Sequence, residues 1–173
     1  QQDYTADAAT VQLTLSVFLF SLALGQALYG PISDRMGRRP PLYFGLVLYI
    51  IASTGCAYAP SISSLILLRF FQGLGCCAGM VIARAIVRDT TEGPALARNY
   101  SMLTLVMGVA PILAPLVGGY ILMWFGWQQI FHALAVLGAL CLIAVLVMLP
   151  ETHMPERRST GGVYGALMVY WSC

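Results

Sequence analysis

The chain has 173 residues, 59% of them hydrophobic and 9% charged, and its mean hydropathy is +0.79. A water-soluble fold of this length cannot hide so much apolar surface, so the composition excludes a soluble domain and makes lipid the solvent. Net charge is only +2, which favours neither nucleic acid nor an acidic partner and moves attention to where the charges sit.

Residues 1–9 are polar and lack the basic region and short apolar core of a signal peptide. The first residue is Gln rather than Met, which reads as an internal cut. Five apolar blocks follow, at residues 10–29, 42–58, 65–86, 100–124 and 130–149. A helix needs about 20 such residues to cross a bilayer. The blocks are apolar all round rather than alternating, which disfavours strands and predicts an all-α membrane protein of five transmembrane helices. Short connectors hold most of the Pro, Asp and Arg, leaving no room for a soluble domain.

The connectors alternate in charge. Arg35, Arg38 and Arg39 follow the first block, Arg88 and Arg98 the third, and Arg157 and Arg158 the fifth, whereas residues 59–64 and 125–129 carry no basic side chain. Short arginine-rich loops stay in the cytoplasm, so residues 1–9 are expected to face outward and residues 150–173 to form a cytoplasmic tail. An outward start before an odd number of helices suggests one helix missing upstream. Tyr4, Tyr58, Trp124 and Trp127 lie near block ends, either as an aromatic belt or as scattered aromatics. Four of the five cysteines lie inside apolar blocks without C-x-x-C spacing and read as small hydrophobes, so no disulfide and no metal is expected.

Three strings stand out in chain order. Residues 30–40 read G-P-I-S-D-R-M-G-R-R-P, in which Gly30 permits close helix approach, Gly37 a tight turn, and Asp34 stands one helical turn before Arg38. Residues 67–75 read L-L-R-F-F-Q-G-L-G. Arg69 is charged inside an apolar block, where insertion costs roughly 2.5 to 3.5 kcal/mol at the bilayer centre, so it needs a partner, water, or a route to the surface by snorkelling. Gln72 and Gly73 share its helix face, and Gly75 with Gly79 form a small-x-x-x-small step. Residues 110–119 read A-P-I-L-A-P-L-V-G-G: Pro111 and Pro115 remove backbone donors one turn apart, predicting a kink, and Ala110, Ala114 and Gly118 line one face for close packing. Gln26 and Tyr49 are polar enough to line a cavity or to join helices, and His132 reads as a boundary histidine rather than a proton relay.

The first string resembles the signature loop of the major facilitator superfamily, G-x-x-x-D-R-x-G-R-R, matching at Gly30, Asp34, Arg35, Gly37, Arg38 and Arg39. The resemblance implies a cytoplasmic gate that latches two transporter halves, and it offers Asp89 as the acid completing a charge cluster with Arg38. The second string is similar to the fourth-helix motif R-x-x-Q-G at Arg69, Gln72 and Gly73, and so implies proton coupling by Arg69. A permanent cation lowers the pKa of a nearby carboxylate, which can then exchange a proton as access alternates. None of the seven acids falls within a block, so that carboxylate would come from elsewhere. The third is similar to the fifth-helix antiporter motif G-P-x-x-G-G at Pro115, Gly118 and Gly119, with Ala114 in place of the usual Gly.

Residues 83–89 (A-R-A-I-V-R-D) and 150–152 (P-E-T) bring the likeness to the bicyclomycin-resistance type of multidrug:proton antiporter, over about residues 7–158. The resemblance implies helices two to six of an amino-terminal six-helix bundle, in a bacterial inner (plasma) membrane. The partners it implies are the lipid bilayer, protons, small apolar or cationic drug-like substrates, the missing first helix and a carboxy-terminal half, with no nucleic acid and no cofactor. Two other readings remain open at this point: a truncated membrane remnant that transports nothing, and a symporter of the same superfamily for sugars or metabolites. No H-E-x-x-H, G-x-S-x-G or paired intramembrane acids point to an enzyme.

Overall fold

A computed structural model of the chain describes residues 8–149, and the leading segment and the tail from residue 150, with Arg157, Arg158 and the P-E-T string, lie outside that range. The described residues form five helices: α1 (Ala8–Met36), α2 (Arg39–Ala57), α3 (Ile62–Thr90), α4 (Gly93–Phe125) and α5 (Trp127–Met148). Each is long and apolar enough to cross a membrane. Short connections force the helices to alternate in direction, because one to four residues cannot carry the chain back across a bilayer.

The helices overrun the apolar blocks at the arginine-rich end. α1 continues through Gly30 to Met36, and α3 runs past Ile86 to Thr90. Hydropathy reports only the hydrocarbon depth, whereas a helix can continue into the polar layer as long as its backbone bonds close. Local signals then set the ends. Gly37, at φ 91°, makes the turn between α1 and α2 that a side chain would strain, and Pro40 and Pro41 occupy the first turn of α2 where no donor is lost. Ser61 caps α3 by accepting from the Ser64 amide at 3.2 Å while the Ser64 hydroxyl accepts from the Ser61 amide at 3.1 Å. Gly126, at φ 84°, alone separates α4 from α5.

α3 is the hub, packed broadly on α1 and α2, while α5 lies against α2 and α4 touches α3 and α5 only lightly. The interior is built from small side chains, as expected where lipid is as apolar as leucine and helices associate by close packing. A Cβ at Gly75 would lie 2.6 Å from the Gly45 carbonyl oxygen and 2.6 Å from the Tyr49 amide nitrogen, so α2 and α3 touch backbone to backbone there. Gly138 on α5 makes room instead for α2 side chains, since a Cβ there would stand 2.9 Å from the Tyr49 ring. The large apolar side chains point outward, among them Phe20, Phe44, Leu105, Ile112 and Val147. No residue of α4 is buried among the described residues.

Two glycines of the first two strings depart from the close-packing expectation. Among the described residues, added Cβ atoms at Gly30 and Gly79 would meet nothing within 4 Å, so neither is a helix contact there. The glycines pressed against a neighbouring helix are Gly25, Gly45, Gly55, Gly73, Gly75 and Gly138.

Candidate functional site

Two polar clusters are built into this apolar frame, one at each end. At the arginine-rich end, α1 ends, α2 begins and α3 ends, which brings Asp34, Arg38 and Asp89 together. Arg38 is 1% exposed and well partnered: NH1 donates to Asp34 Oδ1 at 2.7 Å and to Ser33 Oγ at 2.8 Å, and Nε donates to Asp89 Oδ2 at 2.8 Å. Burial alone would lower the guanidinium's pKa, but the hydrogen bonds and charges of Asp89 and Asp34 outweigh it, and the net shift is upward. The Asp34 side chain is 45% exposed and Asp89's is 16% exposed, so Asp89 is the more shielded counter-ion.

The helical register of residues 30–36 places Asp34 and Arg38 within reach, and Ser33 is an additional partner that motif spacing did not single out. Arg39 engages Tyr43; its Nε donates to the Tyr43 hydroxyl at 2.7 Å and its cation lies 5.5 Å from that ring's centroid. Arg35 occupies the last turn of α1, where a cation suits the helix dipole. Beside the cluster lies a cavity of about 320 Å³ lined by Gln26, Gly30, Ser33, Asp34, Arg38, Arg84, Arg88 and Tyr100. Gln26 therefore lines a cavity. Arg84 and Tyr100 were not singled out from sequence; the Tyr100 hydroxyl donates to the Arg84 carbonyl at 3.1 Å and joins α4 to α3.

The second cluster surrounds Arg69, seven residues into α3 and so about 10 Å along its axis. Its NH1 donates to Gln72 Oε1 at 3.0 Å, and the 1% exposed Gln72 donates through Nε2 to Ser53 Oγ on α2 at 2.8 Å. The guanidinium carbon lies 5.5 Å from the Phe18 ring centroid on α1 and 5.0 Å from that of Phe131 on α5. Nε is shielded from solvent and has no acceptor among the described residues. Arg69 thus neither pairs with an acid there nor snorkels free of the bundle.

Gly73 is where α1 crosses this layer. A Cβ on it would collide with Ser21 Oγ and lie 2.6 Å from the Phe18 carbonyl oxygen. Gly73 is therefore a contact that positions Phe18. Tyr49 sits at the α2–α3–α5 junction, packed against Gly75 and Gly138. The third string stands apart: Pro111 and Pro115 lie inside an unbroken α4, and Cβ atoms at Gly118 or Gly119 would meet nothing within 4 Å. The structure does not bring Ala114, Pro115, Gly118 or Gly119 to either polar cluster, and the face expected to pack closely is uncovered among the described residues.

The family model for the Major Facilitator Superfamily matches residues 1–168. The chain is 41% identical over 159 residues to the uncharacterized MFS-type transporter YdgK of Bacillus subtilis, which covers 91% of this chain and 40% of the relative. It is 34% identical to the bicyclomycin resistance protein homolog of Haemophilus influenzae, over 91% of this chain and 39% of the relative. It is 37% identical to the multidrug resistance protein MdtL of Escherichia coli, over 87% of this chain and 39% of the relative. The chain spans about 40% of the length of these curated relatives. Five membrane-crossing helices, a buried arginine–carboxylate knot at one end and a shielded arginine in the opposite layer thus coincide with a match over nearly the whole sequence: the chain belongs to the major facilitator superfamily.

Proposed function

We propose that this multi-pass inner-membrane chain is the amino-terminal part of a proton-coupled multidrug exporter that works by alternating access, and that its role is transport rather than catalysis. The relatives named for bicyclomycin resistance and multidrug resistance support export of small drug-like molecules. The observation that carries the proton-coupling reading is Arg69: a permanent cation held inside the bundle, with one shielded N–H lacking an acceptor among the described residues.

In this reading Arg69 lowers the pKa of a carboxylate presented by the rest of the transporter, and Gln72 and Gly73 fix its setting. The carboxylate binds a proton on one side of the membrane and releases it on the other as access alternates. Asp34, Arg38 and Asp89 form the gate at the arginine-rich end, which faces the cytoplasm by the positive-inside rule, with Gly30, Arg35, Gly37 and Arg39 shaping it. A compact ion-pair knot at three helix ends is an element with two states, closed when paired and open when the halves rock apart. Pro115, Gly118 and Gly119 shape α4, and the substrate cavity lies between the two halves.

The test is drug efflux by the full-length exporter in vesicles under an imposed proton gradient. Arg69→Ala is expected to abolish gradient-driven export while leaving drug binding within a few fold. Export by Arg69→Ala that remains as dependent on the gradient as the parent's overturns the coupling role.

A further inference from the structure

An arginine in an apolar layer needs something to hold it, and no carboxylate among the described residues reaches Arg69. Two rings do. We propose that Phe18 and Phe131 are positioning residues of the coupling site, holding the Arg69 guanidinium by cation–π attraction and leaving its shielded Nε–H without an acceptor among the described residues, for a carboxylate to take when the helices move. This inference rests on the reading of Arg69 as the coupling cation.

The geometry supports the assignment on three counts. Both ring centroids lie within the roughly 6 Å over which a ring quadrupole attracts a cation, at 5.5 Å for Phe18 and 5.0 Å for Phe131. Phe131 is itself fixed: it is 8% exposed, packs with Cys56 and Ala57, and meets Trp127 edge to face at 6.1 Å. Phe18 is brought in by Gly73, whose missing side chain lets the α1 backbone touch α3 beside Arg69.

The chemistry explains why rings serve here better than an acid. A resident carboxylate would neutralise Arg69 and blunt its influence on an approaching one. An aromatic ring stabilises the cation without cancelling its charge and takes none of its in-plane N–H donors. Gln72 occupies NH1, and the shielded Nε is left over. The ionisable groups that feel Arg69 from α2 are Tyr49 and Cys56; α1 and α5 meet it with rings.

Loss of a ring loosens the guanidinium, so the carboxylate it serves is less well stabilised in its charged form and its pKa rises. The test measures ethidium export by the full-length exporter in proteoliposomes across a series of pH values, normalised to protein in the membrane. Phe131→Leu is expected to slow gradient-driven export about three- to tenfold and to move the half-maximal pH upward by roughly half to one unit. Phe18→Leu is expected to act in the same direction and carries the test if Phe131→Leu is not inserted. Phe131→Trp, which keeps a ring, is expected to retain the parental pH profile. If Arg69→Ala abolishes proton dependence while both leucine variants keep the parental pH profile, the positioning role is overturned and the coupling role stands. If Phe131→Trp shifts the profile as far as Phe131→Leu, the ring is not what acts. If Arg69→Ala keeps its proton dependence, the coupling role falls, and the clamp with it.

Discussion

Replacing Asp89 by Asn removes one charge from the Arg38 knot while keeping an oxygen within hydrogen-bonding reach. Arg38 is 1% exposed, and Asp89 holds its Nε at 2.8 Å with a side chain only 16% exposed, so the pair is screened weakly by water. Charge-assisted hydrogen bonds in shielded settings contribute about 1.5–3 kcal/mol, and the neutral amide retains part of this. Asp89→Asn should therefore destabilise the folded carrier by about 1–2 kcal/mol. Asp34→Asn touches the same guanidinium at 2.7 Å, but its side chain is 45% exposed, and a pair of that kind contributes only about 0.2–1 kcal/mol. Arg38→Ala removes the buried guanidinium from both acids at once and should cost the most, about 3–5 kcal/mol. The assay is thermal unfolding of the full-length protein in detergent, with midpoints ranked parent, Asp34→Asn, Asp89→Asn, Arg38→Ala. Raised salt should narrow the Asp34→Asn difference more than the Asp89→Asn difference. A midpoint for Asp34→Asn at or below that of Asp89→Asn would refute the reasoning from shielding.

Gln72→Glu sets a permanent carboxylate where Gln72 Oε1 now accepts from Arg69 at 3.0 Å; gradient-driven export should fall at least tenfold, and binding and flux assays on the same vesicles check that the drug still binds. Gly73→Ala drives a methyl group into Ser21 Oγ and the Phe18 carbonyl, so α1 must shift and the unfolding midpoint should fall, whereas Gly79→Ala meets nothing among the described residues and should hold or raise it by helix propensity. At the α1–α2 turn Gly37→Ala forces a side chain into φ 91°, a strain of about 1–3 kcal/mol that should appear as lower stability and faster proteolytic cleavage between α1 and α2.

The transmembrane frame was legible because lipid imposes a single requirement, a long apolar run, and the five runs could be counted directly. Their ends were not, since residues 30–36 are polar by hydropathy yet helical by hydrogen bonding, and only the polar layer permits both. The Asp34–Arg38 pair followed from one helical turn of spacing. Asp89 joined it only through family resemblance, because α3 must run its full length before that carboxylate returns to the α1–α2 turn. At the opposite end Gln72 was readable from Arg69 by helical periodicity, but Ser53, Phe18 and Phe131 lie on three other helices and carry no local signal. Glycines were the least readable: Gly30 and Gly79 stood in suggestive patterns and touch nothing among the described residues, whereas Gly45 and Gly138 make close helix contacts that depend on which face each helix turns inward. The third string shows the same limit, since spacing defines a face of α4 but not what lies against it.

Only Gly126 intervenes between α4 and α5, and it serves both helices as a terminus. A one-residue joint leaves no slack for the two segments to enter the bilayer at separate times or to settle apart from one another. Biogenesis must deliver them as a single hairpin whose tip stays near the lipid headgroups. Tags or sequence insertions at that tip would act on membrane integration before they could act on any step of transport.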